Sequence, residues 1–235
     1  QWCDDFHDRL IDICQGDQEM SRFADALKYS HTRCQQWYNV TNYCTSHDEV
    51  GNVNDRLTMT PGCCNRGLRI NKVAATATLL SRGIPMFFMG EESGESSQFS
   101  KDTPETLPLD DYENDLNRQR VRLWWQKMFE LRRGNTRIQG PSPIDVHYVD
   151  GPVIAFSRGE AKDYFVVLNF GDRQVTQNLG IMNLADGAYR EIWNSTYPDF
   201  QVEWEQEFRN WGDLQRGSWL NIPDNGAVIL ERVVH

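Results

Sequence analysis

Three neighbouring residues, His47, Asp48 and Glu49, have side chains that could take part in acid–base chemistry. They follow a short aromatic and β-branched run and precede a glycine and an asparagine. Residues at the carboxyl end of a barrel strand project into the mouth of the barrel, where a rigid scaffold holds a carboxylate towards a substrate. The alternative is an Asx-type turn in which Asp48 bonds its own backbone. The cluster alone leaves both interpretations open.

A strand must deliver this cluster to its position. Residues 37–44 are aromatic and β-branched between polar flanks, which predicts a strand followed by a loop. Residues 68–80 then form an alanine-rich apolar helix, and residues 84–89 are a nearly continuous apolar run. Such a run is typical of a parallel strand that is buried on both faces. Because Glu91 and Glu92 follow it, we predict a βαβ unit with its polar ends on one rim.

Three further helices are predicted from apolar residues at helical spacing. They cover residues 4–13, about 19–29 and 114–133. The first begins with two acids near the positive end of its dipole, and the last ends in two arginines before a glycine. Residues 93–111 are rich in Ser, Pro, Asp and Glu, so we expect a long loop over the rim.

The pattern changes from helices to short strands at about Thr136. Five strand candidates are separated by Asp-Gly, Gly-Asp and Asn-Gly turn signals: residues 145–149, 153–156, 164–170, 191–193 and 227–230. This predicts an antiparallel β-sandwich of about 100 residues. The predicted domains are therefore residues 1–135 and residues 136–235.

Composition excludes several classes of function. The net charge of −10 argues against a nucleic-acid partner. No stretch approaches the ~20 apolar residues of a membrane span, and the amino end carries no signal peptide, so we expect a cytoplasmic or plastid-stroma protein. The eight Trp, eight Tyr and eleven Phe suit stacking on sugar rings, and core packing is the alternative explanation.

The six cysteines all lie between Cys3 and Cys64, without CxxC spacing or a Cys/His ladder. This favours free thiols over a disulfide framework or a metal site, and we expect no metal and no cofactor. Two glycosylation sequons begin at Asn39 and Asn194, and they carry little weight without a secretory signal.

Two motifs resemble those of one enzyme family. Residues 42–52 (NYCTSHDEVGN) resemble the fourth conserved region of the α-amylase superfamily, glycoside hydrolase family thirteen, where His-Asp ends the seventh barrel strand. Residues 83–92 (GIPMFFMGEE) are similar to the eighth-strand motif of that family. Residues 1–7 resemble the segment after the fifth strand in its branching-enzyme branch, and residues 153–156 and 166–170 resemble the β-sandwich that follows the barrel. The resemblance covers essentially the whole chain.

The resemblance implies a fold and a set of site residues. The fold is α/β plus all-β: the carboxyl-terminal part of a (β/α)8 barrel followed by an antiparallel β-sandwich. The implied reaction retains anomeric configuration and needs a nucleophile, an acid/base and a third carboxylate. Asp48 would be that third carboxylate, with His47, Glu49 and Arg56 binding the substrate. The nucleophile and the acid/base would lie before Gln1, so we expect this chain alone to be inactive.

The implied activity is branching of 1,4-α-glucans by retaining transglycosylation, with hydrolysis of α-glucans as the enzymatic rival. The implied partners are the glucan and an amino-terminal barrel half, or another chain, that covers the open barrel. The alternative is a truncated, non-catalytic homologue that serves as a structural or carbohydrate-binding component. Glu91 and Glu92 could contact substrate or only brace loops, and Trp2, Asp5 and His7 could line the same cleft or cap a helix.

Overall fold

The computed structural model describes residues 2–16, 19–32, 36–52, 56–58, 65–97 and 106–234. Within these ranges the helices are α1 (Asp4–Cys14), α2 (Met20–Thr32), α3 (His47–Asn52), α4 (Asn65–Leu80), α5 (Leu109–Asn114) and α6 (Leu116–Arg133). The strands are β1 (Thr41–Tyr43), β2 (Ile84–Met86), β3 (Ile144–Asp150), β4 (Val153–Arg158), β5 (Tyr164–Asn169), β6 (Val175–Asn178), β7 (Tyr189–Asn194), β8 (Trp219–Ile222) and β9 (Gly226–Arg232). Short 3₁₀ turns occur at Trp37–Asn39 and Glu91–Ser93.

The amino-terminal part is built from parallel strand–helix units. β1 and β2 pair in parallel from Thr41 opposite Ile84 to Tyr43 opposite Met86. On the other side of β1, Trp2 forms a parallel bridge to Thr41, and the N–H of Cys3 donates to the Thr41 carbonyl at 2.9 Å. Helix α1 follows Trp2 in the chain, α4 follows β1, and α6 follows β2. This is the arrangement of successive units of a β/α barrel, so the α/β part of the predicted fold class is confirmed.

The first strand and the loop after it differ from the prediction. A 3₁₀ turn occupies the first residues of the predicted strand 37–44, and β1 covers only Thr41–Tyr43. The residues from His47 onward form α3 rather than a loop, because Ser46 caps the helix, as described below. The expectation of an open turn at 45–52 was therefore wrong.

The strand predicted at 84–89 is shorter and more exposed than expected. β2 ends at Met86, and Ile84, Phe87 and Met89 are 41%, 40% and 45% exposed. One edge of β2 pairs with β1, and no strand in the described part of the chain pairs with the other edge. The expectation of burial on both faces was wrong for this reason.

The segment 93–111, expected to be a loop, contains part of a 3₁₀ turn and the start of α5. Residues 98–105 lie outside the described residues. The following helix, α6, begins at Leu116 because the Asp115 carboxylate accepts the backbone N–H groups of Asn117 and Arg118 at 2.8 and 3.3 Å. A side-chain cap of this kind fixes the first turn of a helix.

The carboxyl-terminal part is all-β, as predicted. An antiparallel sheet has the order β3-β4-β5-β9-β7, and a two-stranded sheet, β6-β8, packs on it. β6 and β8 were not among the strand candidates, and each is only four residues long. The prediction of a β-sandwich is confirmed.

The central sheet has an apolar core on each face. Alternate residues of its strands, such as Phe165 and Val167, pack towards β6-β8. The residues between them, such as Val166 and Leu168, pack in the same core as α1, α2, α4 and α6. This two-sided burial explains why β4 and β5 read as continuous apolar runs rather than as alternating strands.

A buried ion pair joins the two parts of the chain. Lys72, in the middle of α4, is fully buried, and its Nζ donates to the carbonyls of Ser195 and Phe200 at 2.7 and 2.9 Å. Its third donor reaches Glu205 Oε2 at 2.7 Å. Burial lowers the pKa of Lys72 and raises that of Glu205. The charge of each residue acts against this effect of burial on the pKa of its partner. All three protons of the ammonium group are thus used.

Several smaller expectations can be compared with the structure. Cys14 and Cys44 are buried free thiols, Cys3 is buried as well, and the other three cysteines lie outside the described residues. Asn194 is fully buried, so its sequon cannot be glycosylated in this fold, whereas Asn39 is exposed. No described helix combines the length and the apolarity that crossing a bilayer requires.

Candidate functional site

The His-Asp pair lies in the first turn of α3, immediately beyond the carboxyl end of β1. The His47 and Asp48 side chains are 61% and 66% exposed, and His47 Nε2 lies 3.5 Å from Asp48 Oδ1. The Trp2 ring stands edge-on to the His47 ring, with the centroids 5.9 Å apart. A carboxylate and an imidazole are therefore open to a ligand at the strand end, beside an exposed aromatic ring.

A capping box fixes the backbone beneath this pair. The Ser46 N–H donates to Glu49 Oε2 at 2.8 Å, and the Ser46 hydroxyl donates to the same oxygen. The Asp48 N–H in turn donates to Ser46 Oγ at 3.2 Å. The sequence Ser-x-x-Glu is the signature of this motif, so the spacing of Ser46 and Glu49 alone predicts the cap.

Glu49 is thereby engaged with its own helix. Burial alone would raise the pKa of Glu49, and the hydrogen bonds from Ser46 outweigh this effect, so the pKa lies below its ordinary value. Its second oxygen accepts the Tyr43 hydroxyl at 3.3 Å. Binding of substrate by Glu49 stays a prediction. In the structure these hydrogen bonds make Glu49 hold α3 in its orientation.

A layer of buried polar and aromatic groups supports the rim from below. The His7 ring stacks on the Tyr43 ring, 5.1 Å between centroids and 8° from parallel, and His7 Nδ1 donates to the Cys44 carbonyl. The Tyr43 hydroxyl also donates to Asp4 Oδ1 at 2.9 Å. Burial, followed by the bond to Asp4, raises the pKa of Tyr43. His7 thus braces β1, whereas Asp5 is exposed on α1.

Glu91 joins the two strand ends. It follows β2, is 1% exposed, and accepts the Thr45 hydroxyl through one oxygen and the Phe88 N–H through the other at 3.0 Å. Burial is the main reason why the pKa of Glu91 rises to about 8. The tips after β1 and β2 therefore meet at one rim, and sequence reasoning had left the role of Glu91 open between contacting substrate and bracing loops.

Arg56 is buried under the loop that follows β2. Its Nη1 donates to the Met89 carbonyl at 2.8 Å, and its Nε donates to the Ser97 carbonyl at 3.1 Å. The guanidinium lies 4.8 Å above the Phe88 ring centroid. Through these bonds Arg56 helps to hold the loop. That Arg56 also contacts a sugar stays a prediction.

The nearest carboxylates do not form a metal site. Among the residues that the structure describes, no three His, Cys, Asp or Glu side chains are close enough together to hold a metal ion. Glu92, beside Glu91, accepts the N–H of Gly90 at 3.0 Å, which is a local loop contact.

The β domain has a recognisable family. Residues 144–233 match the family described as alpha amylase, C-terminal all-beta domain. The resemblance to the α-amylase superfamily is thus confirmed. The sequence matches no curated protein.

Solved structures share the fold over almost the whole chain. The type III pullulan hydrolase of Thermococcus kodakarensis matches 97% of this chain and 35% of its own, with 20% identity and a TM-score of 0.67. The pullulanase of Bacillus acidopullulyticus matches 98% of this chain and 30% of its own, with 15% identity and a TM-score of 0.70. The alpha-amylase of H. orenii matches 99% of this chain and 48% of its own, with 17% identity and a TM-score of 0.66. This chain thus spans a third to a half of the structures it matches.

Proposed function

We propose that these residues are the carboxyl-terminal part of an enzyme that acts on α-glucans by a retaining mechanism. The observation that carries the proposal is the exposed His47-Asp48 pair at the end of β1, on the rim that Glu91 shares with the end of β2. The superfamily of the β domain and the similarity to a pullulanase and an alpha-amylase support the choice of substrate class. The specific reaction that we propose is branching of 1,4-α-glucans, and hydrolysis is its rival.

In this proposal Asp48 holds the distorted sugar at the transition state. A charged hydrogen bond from a ring hydroxyl to the carboxylate tightens as the ring flattens, so it lowers the barrier rather than only raising affinity. His47 donates to a neighbouring hydroxyl, and the exposed Trp2 ring offers an apolar face beside them. Ser46 and Glu49 hold the pair in place and would not react themselves.

The nucleophile and the acid/base would come from polypeptide outside these 235 residues. Among the described residues no strand pairs with the second edge of β2, and the side chains of Ile84, Phe87 and Met89 are exposed. Both features support such a partner, because an unpaired edge beside apolar surface favours association with another strand. We propose that the amino-terminal half of a barrel covers this surface. The chain by itself should then turn over no glucan, since one carboxylate cannot supply a double displacement.

The test is Asp48→Asn in the enzyme that contains these residues, with maltoheptaose and amylopectin as substrates. We expect turnover to fall by ~10³-fold or more while glucan binding stays largely intact. Asp25→Asn is the matched control, since this carboxylate on α2 is 80% exposed and distant in sequence. Near-normal turnover by Asp48→Asn would remove Asp48 from the mechanism.

The product distinguishes the candidate reactions. New α-1,6 linkages, measured by NMR spectroscopy, would support branching, and new reducing ends without them would support hydrolysis. The remaining candidate is a non-catalytic, carbohydrate-binding component. Glucan binding without turnover by the complete protein would support that candidate.

A further inference from the structure

Both oxygens of the Glu91 carboxyl group are bound inside the protein. One accepts the Thr45 hydroxyl, and the other accepts the Phe88 N–H at 3.0 Å. Glu91 is 1% exposed, and Thr45 is fully buried. Glu91 therefore cannot reach a ligand at the rim, and any effect that it has on a ligand must pass through Thr45.

The hydrogen bond between Thr45 and Glu91 lies beyond the point where the two parallel strands stop pairing. The register of β1 and β2 ends at Tyr43 opposite Met86. Thr45 and Glu91 both follow this last pair in the chain, so their side chains connect the two strand ends across the gap. We call this contact the Thr45–Glu91 link.

Thr45 directly precedes the cap of α3. Ser46 follows it, and Ser46 Oγ accepts the Asp48 N–H at 3.2 Å. His47 and Asp48 occupy the first turn of that helix. Because the cap fixes the first turn of a helix, a displacement of Thr45 displaces both exposed side chains.

The main chain of Glu91 is fixed by two helices. The Asn71 side chain on α4 donates to the Glu91 carbonyl at 3.0 Å, and Trp125 Nε1 on α6 donates to Asn71 Oδ1 at 2.8 Å. Asn71 and Trp125 are each 1% exposed. A buried, satisfied network of this kind gives a side chain one defined position. The Thr45–Glu91 link therefore transmits the position of the packed helices to the end of β1.

Glu91 is held in its neutral form near pH 7. Burial raises its pKa to about 8, and the hydrogen bonds that it accepts, followed by the charge of Arg56, act in the opposite direction without cancelling the effect of burial. The charged and titratable groups around Glu91 in the described parts of the chain are Cys44 after β1, Arg56, Glu92 and Glu95 in its own loop, and Arg118 and Arg122 of α6, which bond to that loop.

Ionisation of Glu91 acts on the link through hydration. A charged carboxylate is stabilised by water, so above the pKa the local openings that hydrate Glu91 become more populated, by about tenfold for each pH unit. Such openings separate Glu91 from Thr45 and loosen the turn that precedes α3.

We propose that Glu91 is a positioning residue for the His47-Asp48 pair: its neutral carboxyl group holds Thr45 and thereby the first turn of α3, and ionisation of Glu91 releases the pair. The reaction that the pair serves rests on the proposed function, whereas the link rests on the packing of the strand ends alone.

The first test is steady-state kinetics at pH 6 with maltoheptaose, in the enzyme that contains these residues. Glu91→Leu and Thr45→Val each remove one side of the link and should lower kcat by about tenfold, with KM changed less than about twofold. Glu91→Gln reproduces both hydrogen bonds and should keep kcat within about twofold of the unaltered enzyme.

Thr76→Val is the matched control for Thr45→Val. It removes another buried threonine hydroxyl, which bonds to the Lys72 carbonyl and to Trp124 Nε1, within the contact between α4 and α6. This change should leave kcat within about twofold of the unaltered enzyme, since neither strand end is touched. The melting temperature of each variant shows whether it is folded at the assay temperature.

The second test is the ratio of kcat for Glu91→Gln to kcat for the unaltered enzyme between pH 6 and pH 9. Any ionisation that both enzymes share cancels in this ratio. We expect a ratio near 1 below pH 7 and a rise to about tenfold at pH 9, because only the unaltered enzyme can ionise residue 91. This ratio decides the question even if Glu91→Leu does not fold.

Three results would overturn the inference. A ratio that does not change with pH would show that ionisation of Glu91 does not reach the pair. A loss of kcat in Glu91→Gln as large as in Glu91→Leu would show that the carboxyl group acts in another way. Wild-type kcat in folded Glu91→Leu and Thr45→Val would show that the link positions nothing.

A readout without substrate separates this inference from the proposed function. With selective 15N labelling of histidine, the His47 amide resonance should shift with a midpoint near pH 8 in the unaltered enzyme and not in Glu91→Gln. No such shift would make the inference wrong whatever the reaction is. If the shift occurs while Asp48→Asn keeps normal turnover, the link stands and the role proposed for Asp48 is wrong.

Discussion

Replacing the buried Glu91 by glutamine should change how the stability of the protein depends on pH. Glu91 is 1% exposed and has a pKa of about 8, against an ordinary value of 4.5, mainly because burial disfavours its charged form. In its neutral form it can donate to Thr45 Oγ1 while its carbonyl oxygen accepts the Phe88 N–H. A glutamine reproduces both bonds, with its amide N–H in place of the carboxyl O–H, and cannot ionise.

The sign and size of the effect follow from proton linkage. Between the unfolded and folded pKa values, the folded state keeps a proton that the unfolded state has released, so stability falls as the pH rises. The contribution of Glu91 is complete below pH ~4.5 and is lost as the pH passes through ~8. From pH 6 to pH 8 the two pKa values give a loss of about 2 kcal/mol in the free energy of unfolding.

The assay is urea unfolding at a series of pH values from 6 to 8, with the free energy of unfolding extrapolated to water. The difference in unfolding free energy between the unaltered protein and Glu91→Gln should shift by about 2 kcal/mol in favour of the variant over this range. Glu92→Gln is the control, because this neighbouring carboxylate is only partly buried, and it should retain the decline of the unaltered protein. If Glu91→Gln declines in parallel with the unaltered protein, Glu91 is not the neutral buried group described here.

Three further changes test the packing around the site. Lys72→Met should lower the free energy of unfolding by about 3–5 kcal/mol, because it leaves Glu205 charged and buried. Adding Glu205→Gln should recover part of that loss in a double-mutant cycle. If the costs of the two single changes simply add, the pair is not coupled. Ser46→Ala should lower stability by about 1 kcal/mol through loss of the cap beneath His47-Asp48, with Glu49→Gln milder, and an unchanged urea midpoint would argue against the capping box. Gly94→Ala should destabilise the protein by more than about 1 kcal/mol, since φ is +64° and a new Cβ would clash with a leucine methyl group. A stability equal to that of the unaltered protein would contradict this backbone conformation.

The local elements follow closely from the sequence. The apolar stripes of α1, α2, α4 and α6 and the turn signal between β3 and β4 appear where the sequence predicts them, because helical periodicity and turn chemistry are properties of neighbouring residues. The capping box at Ser46 was equally local and readable.

The sequence by itself determined the order of the elements, the resemblance of its two strand-end motifs and the placement of His47 and Asp48 just beyond a strand. The tertiary structure decided what surrounds them. Lys72 lies in an apolar helix and finds Glu205 more than a hundred positions later in the chain, and Glu91 meets Thr45 across two strand ends. A charge becomes buried and paired only through contacts between distant segments, and no local pattern encodes those contacts.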